Sequence, residues 1–174
     1  MTALPAMDQL DRKILEELQR SGRLSNVELA ERVGLSPSPC LARVRQLEEE
    51  GVIRGYVGLV DAERLGPVLS VFIHVTLEQQ SEKNLENFER VVTELPEVME
   101  CYLMTGDADY LLRVVVRDAV ALKDFILEKL TKTAGVANIR SSFSLKQVKF
   151  KTALPLPQLL PDIQRKDKST RRRK

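Results

Sequence analysis

RLSNVELAERVGLSPSPCLARVRQLE, running from Arg23 to Glu48, decides how this chain begins to fold. Ser25-Asn26-Val27-Glu28 has the S-x-x-E form of a capping box, in which serine and glutamate reciprocally satisfy the free amides of a helix start. The helix it opens carries Leu29, Ala30 and Val33 on one side and stops at Gly34, a residue that accepts left-handed backbone. Ser36-Pro37-Ser38-Pro39 opens the next: with Ser36 as N-cap, both prolines fall in the turn whose amides lack an intrahelical partner. Leu41, Val44 and Leu47 then read as one apolar stripe, and Gly51 closes the helix. Opposite that stripe lie Ser38, Ala42 and Gln46, flanked by Pro39, Arg43 and Arg45. Upstream, Leu10, Ile14 and Leu18 recur every four residues with Leu15 beside them, which predicts a helix over 8–20 capped by Asp8.

Three short helices, the last two joined by a tight glycine turn, are the pattern of a helix-turn-helix. A recognition helix must present short side chains so that its backbone approaches base edges in the major groove, with arginines reaching bases or phosphates. The candidate DNA contacts are Asn26, Ser36, Ser38, Pro39, Cys40, Ala42, Arg43, Arg45, Gln46 and Arg54. A plain three-helix packing unit with a solvated outer face competes with this reading, and the tight turn favours DNA binding. Val52 to Tyr56 is β-prone and reads as a wing or a linking strand.

Beyond Asp61 the hydrophobic period changes from helical to alternating. Val71, Ile73, Val75 and Leu77 face one way and Phe72, His74 and Thr76 the other, so 69–77 is a strand. A helix over 82–94 carries Leu85, Phe88, Val91 and Val92. Strands follow at 98–105 and 110–116, joined by Gly106-Asp107-Ala108-Asp109. A helix from Asp118 buries Leu122, Phe125, Ile126 and Leu130, and a last strand runs from Val136 to Leu145 with an extension over Val148 to Thr152. The order β-α-β-β-α-β is ferredoxin-like, with both helices on one side of an antiparallel sheet. The whole is therefore α+β: a helix-turn-helix domain over 1–52, a linking strand and linker over 53–68, a ferredoxin-like domain over 69–154, and a Pro-rich, basic, disordered tail over 155–174. The Phe72, His74 and Thr76 face lacks cover within the chain, which predicts a homodimer built through this domain.

Composition narrows the function classes. The 174 residues are 43% hydrophobic and 30% charged, ordinary for a folded chain. No apolar run approaches the roughly 20 residues of a bilayer crossing, and residues 1–10 have neither a basic nor a hydrophobic leader region, so no membrane partner and a cytoplasmic location are expected. Cys40, Cys101 and the lone His74 match no metal or disulfide pattern, so no metal and no cofactor are expected, and both cysteines read as small buried or half-buried residues. His74 has no nucleophile or carboxylate partner at a recognisable spacing, which argues against an enzyme. Residues 1–60 carry 8 Lys/Arg against 9 Asp/Glu, so bulk charge gives the helical region no argument for DNA binding, and any such argument must be local. Residues 151–174 carry 8 against 2. Their ending Arg171-Arg172-Arg173-Lys174 reads as a solubilising end in preference to an electrostatic clamp.

The run Arg23 to Glu48, followed by Gly51 to Tyr56, closely resembles the DNA-binding region of the Lrp/AsnC family of transcriptional regulators. Thr105-Gly106-Asp107-Ala108-Asp109-Tyr110-Leu111-Leu112 is similar to that family's effector-domain signature, and the likeness spans about residues 8–152. The resemblance implies a transcriptional regulator with a winged or simple helix-turn-helix domain, and the two-fold dimer expected above would present two recognition helices to a pseudo-palindromic double-stranded operator. It also implies a C-terminal domain that dimerises, assembles to octamers and holds an amino acid between dimers. The recognition helix then falls on Ser36 to Leu47, the effector loop on Leu103 to Asp109, and the facing strand on Arg140 to Ser144. Asp107 or Asp109 would hold the ammonium, and the amides around Gly106 or the hydroxyls of Ser141 and Ser142 the carboxylate. Leu103, Met104 and Phe143 would shape a pocket for a hydrophobic side chain such as leucine or methionine, with Thr105 and Tyr110 completing the effector set. Ala134-Gly135 and Arg117 stand where the family often has proline. The alternative function is a nucleoid-associated architectural DNA-binding protein with no obligatory ligand.

Overall fold

Residues 7–160 are described by the structure, a computed structural model. The chain divides into two compact units: one joins the residues up to Leu59 with those from Lys149 onward, and the other is Val60–Val148.

In the first unit, α1 (Gln9–Arg20), α2 (Asn26–Val33) and α3 (Pro37–Glu49) begin and end where local chemistry dictates. Asp8 caps α1, accepting from the amides of Leu10 at 2.8 Å and Asp11 at 2.9 Å, while Asp11 accepts in return from the Asp8 amide at 2.8 Å. Ser25 and Glu28 form the expected capping box on α2, and Gly34 ends that helix with φ 77°. Prolines at the first and third positions of α3 leave Ser38 as the only backbone donor among them. Ser36 is the N-cap by backbone geometry, and its side chain makes no cap hydrogen bond.

The inner face of α3 is rotated from the expected one. Cys40 is fully buried and Leu47 nearly so, with Val44 packed partly beside them, whereas Leu41 is 38% exposed. Residues 40, 44 and 47 keep the i, i+4, i+7 rhythm that faces α1 and α2, and position 41 lies one step around the helix. Two further expectations change. Val52 to Val60 forms no strand, since nothing in the unit offers these residues a ladder, but Tyr56 is pinned back: its hydroxyl donates to Glu48 at 2.9 Å. The tail drawn over 155–174 also changes. A one-turn helix, α6 (Leu156–Leu159), seats Leu156 among Ile14, Leu15, Leu29 and the other core residues of this unit, because these helices leave an apolar gap that the Pro-rich segment fills. The rest of the expected tail, 161–174, lies outside the described residues.

The second unit is a four-stranded antiparallel sheet in the order β2-β3-β1-β4, with β1 Leu69–Leu77, β2 Val98–Leu103, β3 Tyr110–Val116 and β4 Val136–Phe143. This is the ferredoxin-like order read from the sequence. Helix α4 (Glu82–Thr93) and helix α5 (Ala119–Asp124), the latter continued by a wider turn over Phe125–Leu130, connect the strands. Strict alternation on β1 and β3 sends Val71, Ile73, Val75, Leu112 and Val114 into a core shared with Phe88, Val92, Phe125 and Leu130. Strand β4 stops at Phe143, short of Leu145, and no strand covers Val148 to Thr152, because no neighbouring strand continues past Leu69 to pair them.

Candidate functional site

The outward side of α3 is the first candidate. Ser38, Pro39, Leu41, Ala42, Arg45 and Gln46 are exposed, as is Ser36 at its start. Arg45 and Arg54 have no acidic partner among the described residues, so both guanidiniums are available to an external anion. Three expected contacts are committed elsewhere. Cys40 is buried and cannot meet a base. Arg43 is half-buried and its guanidinium bridges Asp11 at 2.6 Å and Asp8 at 2.9 Å, tying α3 to the cap of α1. Its hydrogen bond to Asp11 holds it firmly in the charged form, against the opposing effect of burial. Asn26 donates from its side-chain amide to the Pro37 carbonyl at 2.8 Å, a clasp across the turn between α2 and α3. Gln46 donates to Glu50 at 2.8 Å and remains on the exposed face. Leu41 belongs to that face and was missed; the 40-44-47 spacing was the signal that would have found it.

The hairpin between β2 and β3 is the second candidate. Leu103, Met104, Thr105, Gly106 and Asp107 are exposed, and Gly106 has φ 129°, a conformation that favours glycine. Asp109 is not free to hold an ammonium group. It is 5% exposed, and one carboxylate oxygen accepts from the Leu77 amide at 2.7 Å while the other accepts from the Gln80 side chain. Its own amide donates to Val75 at 3.0 Å and its carbonyl accepts from Met104 at 2.8 Å, so Asp109 fastens the hairpin base to the end of β1. Gln80, the other half of this lock, gave no signal in the sequence. Tyr110 also turns inward: its ring packs at a tilt on Phe88 with centroids 4.5 Å apart and its hydroxyl donates to Glu89 at 2.8 Å, and burial, with that bond, raises its pKa. It is part of the core of this unit. Asp107 is the exposed carboxylate that remains.

Ser141, Ser142 and Phe143 are exposed on β4. Register keeps them apart from the hairpin. Tyr110 pairs with Val75 near the end of β1, while Ser141 and Phe143 pair with Ile73 and Val71, and β1 runs between β3 and β4. Two strand spacings plus this offset separate the groups by more than about 10 Å within one chain. The open sheet face carries Phe72, His74 and Thr76 half-buried, with Arg113 and Glu100 paired across it at 2.7 Å. Among the described residues no group of three or more His, Cys, Asp and Glu converges on a metal position, and no helix is long and apolar enough to cross a membrane.

Comparison with known proteins adds identity to this geometry. Residues 7–54 match a winged helix-turn-helix DNA-binding domain and residues 70–154 the Lrp/AsnC ligand binding domain. The Bkd operon transcriptional regulator of Pseudomonas aeruginosa is 50% identical over 150 residues, covering 86% of this chain and 98% of that one. The chain belongs to the Lrp/AsnC family. Another member, the leucine-responsive regulatory protein of Rhizobium meliloti, is 47% identical over 143 residues, 82% of this chain and 92% of its own. A transcriptional regulator of Neisseria meningitidis, solved as a complex with L-Met, superposes with a TM-score of 0.82 at 44% identity, covering 89% of this chain and all of the other. This Lrp/AsnC protein is thus a transcriptional regulator with a DNA-binding helix-turn-helix and an amino-acid ligand-binding domain, and the relatives it matches are named as regulators and not as enzymes.

Proposed function

We propose that this regulator reads a pseudo-palindromic duplex with the outward face of α3. Ser38, Leu41 and Ala42 lie against base edges, Arg45 and Arg54 reach bases or phosphates, and Ser36 contacts the backbone. In the same proposal it senses a free hydrophobic amino acid, methionine or leucine, at the β2–β3 hairpin. The observation that carries the sensing half is the exposed Asp107 beside exposed Leu103 and Met104, on a hairpin fastened underneath by Asp109. A carboxylate suits the ligand's ammonium and the two apolar side chains suit its tail. The ligand's own carboxylate needs donors, and Ser141 and Ser142 of the same chain lie too far off. A second copy supplies them, so the site sits between subunits of a homodimer that assembles further to an octamer. The L-Met complex of the Neisseria relative supports methionine as the first ligand to test. A ligand lodged between copies shifts DNA affinity or assembly by the difference in its affinity for the two arrangements. Its place of work is the nucleoid of the cytoplasm.

A thermal-shift screen across the twenty amino acids tests this. Methionine or leucine at about 100 times its Kd adds about 2.7 kcal/mol to the bound domain, a shift of several degrees. Asp107→Ala should abolish that shift and leave the unliganded melting temperature in place. A shift that survives in Asp107→Ala overturns the assignment of the hairpin.

A further inference from the structure

We infer that Leu41 selects thymine: its side chain packs on the 5-methyl group of one thymine in each operator half-site, and so reads an A·T pair that no side-chain amide of the helix-turn-helix is free to read. This deepens, and rests on, the reading of α3 as the helix that enters the major groove. Among the described residues of α3, Leu41 is the only large apolar side chain left exposed, at 38%, while Cys40, Val44 and Leu47 take up the inward face. It stands at the fifth position of the helix, in the N-terminal half that meets base edges when such a helix lies in the groove. Helical spacing sets Ser38 one turn before it and Arg45 one turn after, with Ala42 alongside, and all three are exposed. Ser38 and Ala42 are short, so neither holds a duplex away from the leucine.

The occupied amides decide which feature of the base pair is read. In the major groove an A·T pair offers adenine N6 and N7, thymine O4 and the thymine methyl group. Adenine's edge is matched by the amide of an asparagine or glutamine. Between Arg23 and Glu50 the sequence holds two such side chains, Asn26 and Gln46. Both are spent: Asn26 donates to the Pro37 carbonyl at 2.8 Å and Gln46 donates to Glu50 at 2.8 Å. The methyl is therefore the feature of an A·T pair that this surface is equipped to recognise, with Leu41 supplying an apolar contact and the Ala42 methyl beside it. Among the four bases thymine alone carries that group, so burying it against leucine discriminates as well as binds. Arg45, which has no acidic partner among the described residues, complements it, because a free guanidinium matches guanine O6 and N7. A protein partner is disfavoured. A single leucine set among Ser38 and Arg45 falls far short of the apolar patch of a few hundred Å² that marks such a surface.

Selection from a pool of random duplexes by the full chain yields the operator for the test. Each thymine of that operator is then replaced in turn by deoxyuridine, which removes the methyl and keeps every hydrogen-bonding group. One thymine per half-site should respond. Affinity should fall about four-fold for one replacement and about fifteen-fold when both half-sites are changed, the worth of one buried methyl group per contact. Leu41→Ala should lose about as much on the thymine operator and bind the thymine and deoxyuridine operators alike. An operator at which no thymine responds overturns the proposal, as does a response that persists undiminished in Leu41→Ala. If selection enriches no operator at all, the reading of α3 as a sequence reader fails first and takes this inference with it. Two controls on Leu41→Ala separate the remaining explanations. Its melting curve should match the parent's, since alanine is a good helix former and the core contacts belong to Cys40, Val44 and Leu47. Its size on a sizing column should also match. A lower melting temperature would show Leu41 to be a core residue, and a changed size would assign it to a contact between copies; either result overturns the proposal.

Discussion

The helical unit and the sheet unit complete their cores by different means. Among the described residues, thirteen buried side chains between Val71 and Leu130 close the core of the sheet unit from one continuous stretch of chain. The helical unit has eight, and one of them, Leu156, comes from the far end of a segment whose Leu154 bonds to Gln19 across 135 residues of sequence. Three short helices bury too small a share of their surface to be robust alone, so this unit draws cover from its own chain. The sheet has the opposite problem, a face on which Phe72, His74 and Thr76 stay half-buried while the other face is fully packed. DNA reading and ligand sensing thus rest on two units with different reserves of stability.

The largest effect that breaks this contrast comes from Leu156→Ala. It should cost about 2–3 kcal/mol of helical-unit stability, toward the low end for a buried leucine because the site is at the edge of the core. Hydrogen exchange should show α1 to α3 opening sooner and β1 and β3 unchanged; equal loosening of both units would mean that the seat is not local. Next is Asp109→Ala, which leaves the buried Leu77 amide and the Gln80 side chain unsatisfied. A loss of about 2 kcal/mol confined to the sheet unit is expected by chemical denaturation, whereas Asp107→Ala should cost nothing measurable there. Two arginines two positions apart sharpen the contrast within α3. Arg45→Ala should weaken operator binding about ten-fold with stability intact. Arg43→Ala should lose about 1 kcal/mol of helical-unit stability, modest because the pair is partly exposed, and a mobility-shift titration should show less loss of operator affinity than for Arg45→Ala.

The smallest effect is in acid. Burial favours the protonated form of Asp8, but the Asp11 amide and Arg43 outweigh it and hold its pKa below the usual carboxylate range, while bonds from Ser25 do the same for Glu28. A lowered folded pKa means that this stability is fully present above about pH 5 and is lost as the pH falls through the folded values. Glu97 and Glu100 are likewise lowered by Lys129 and Arg113 despite burial, so both units should weaken toward pH 3. Asp8→Asn with Glu28→Gln should blunt that fall in the helical unit alone, as a melting curve followed at each unit would show.

The fold was legible in particular residues. Ser25 with Glu28, Gly34, Ser36-Pro37 and Gly51 mark helix ends through local backbone needs, and the alternation from Val71 to Leu77 marks a strand whose partners follow from topology. The sites were less legible. Arg43 and Arg45 look alike in a wheel, as do Asp107 and Asp109 in a hairpin. One of each pair is spent on a partner, Asp8 and Asp11 for Arg43 and Leu77 and Gln80 for Asp109, that local spacing does not reveal.

Sequence alone determined where α1 to α4 start and stop, which face of β1 is apolar, and the family to which the motifs point, because caps, turns and periodicity act over a few neighbouring residues. Tertiary structure decided which polar groups are free to meet DNA or a ligand, that Cys40 and not Leu41 faces the core, and that Leu156 returns to the helices. Those outcomes depend on pairing and burial between residues far apart in the chain, where the gain of a contact is set by geometry that no local pattern encodes.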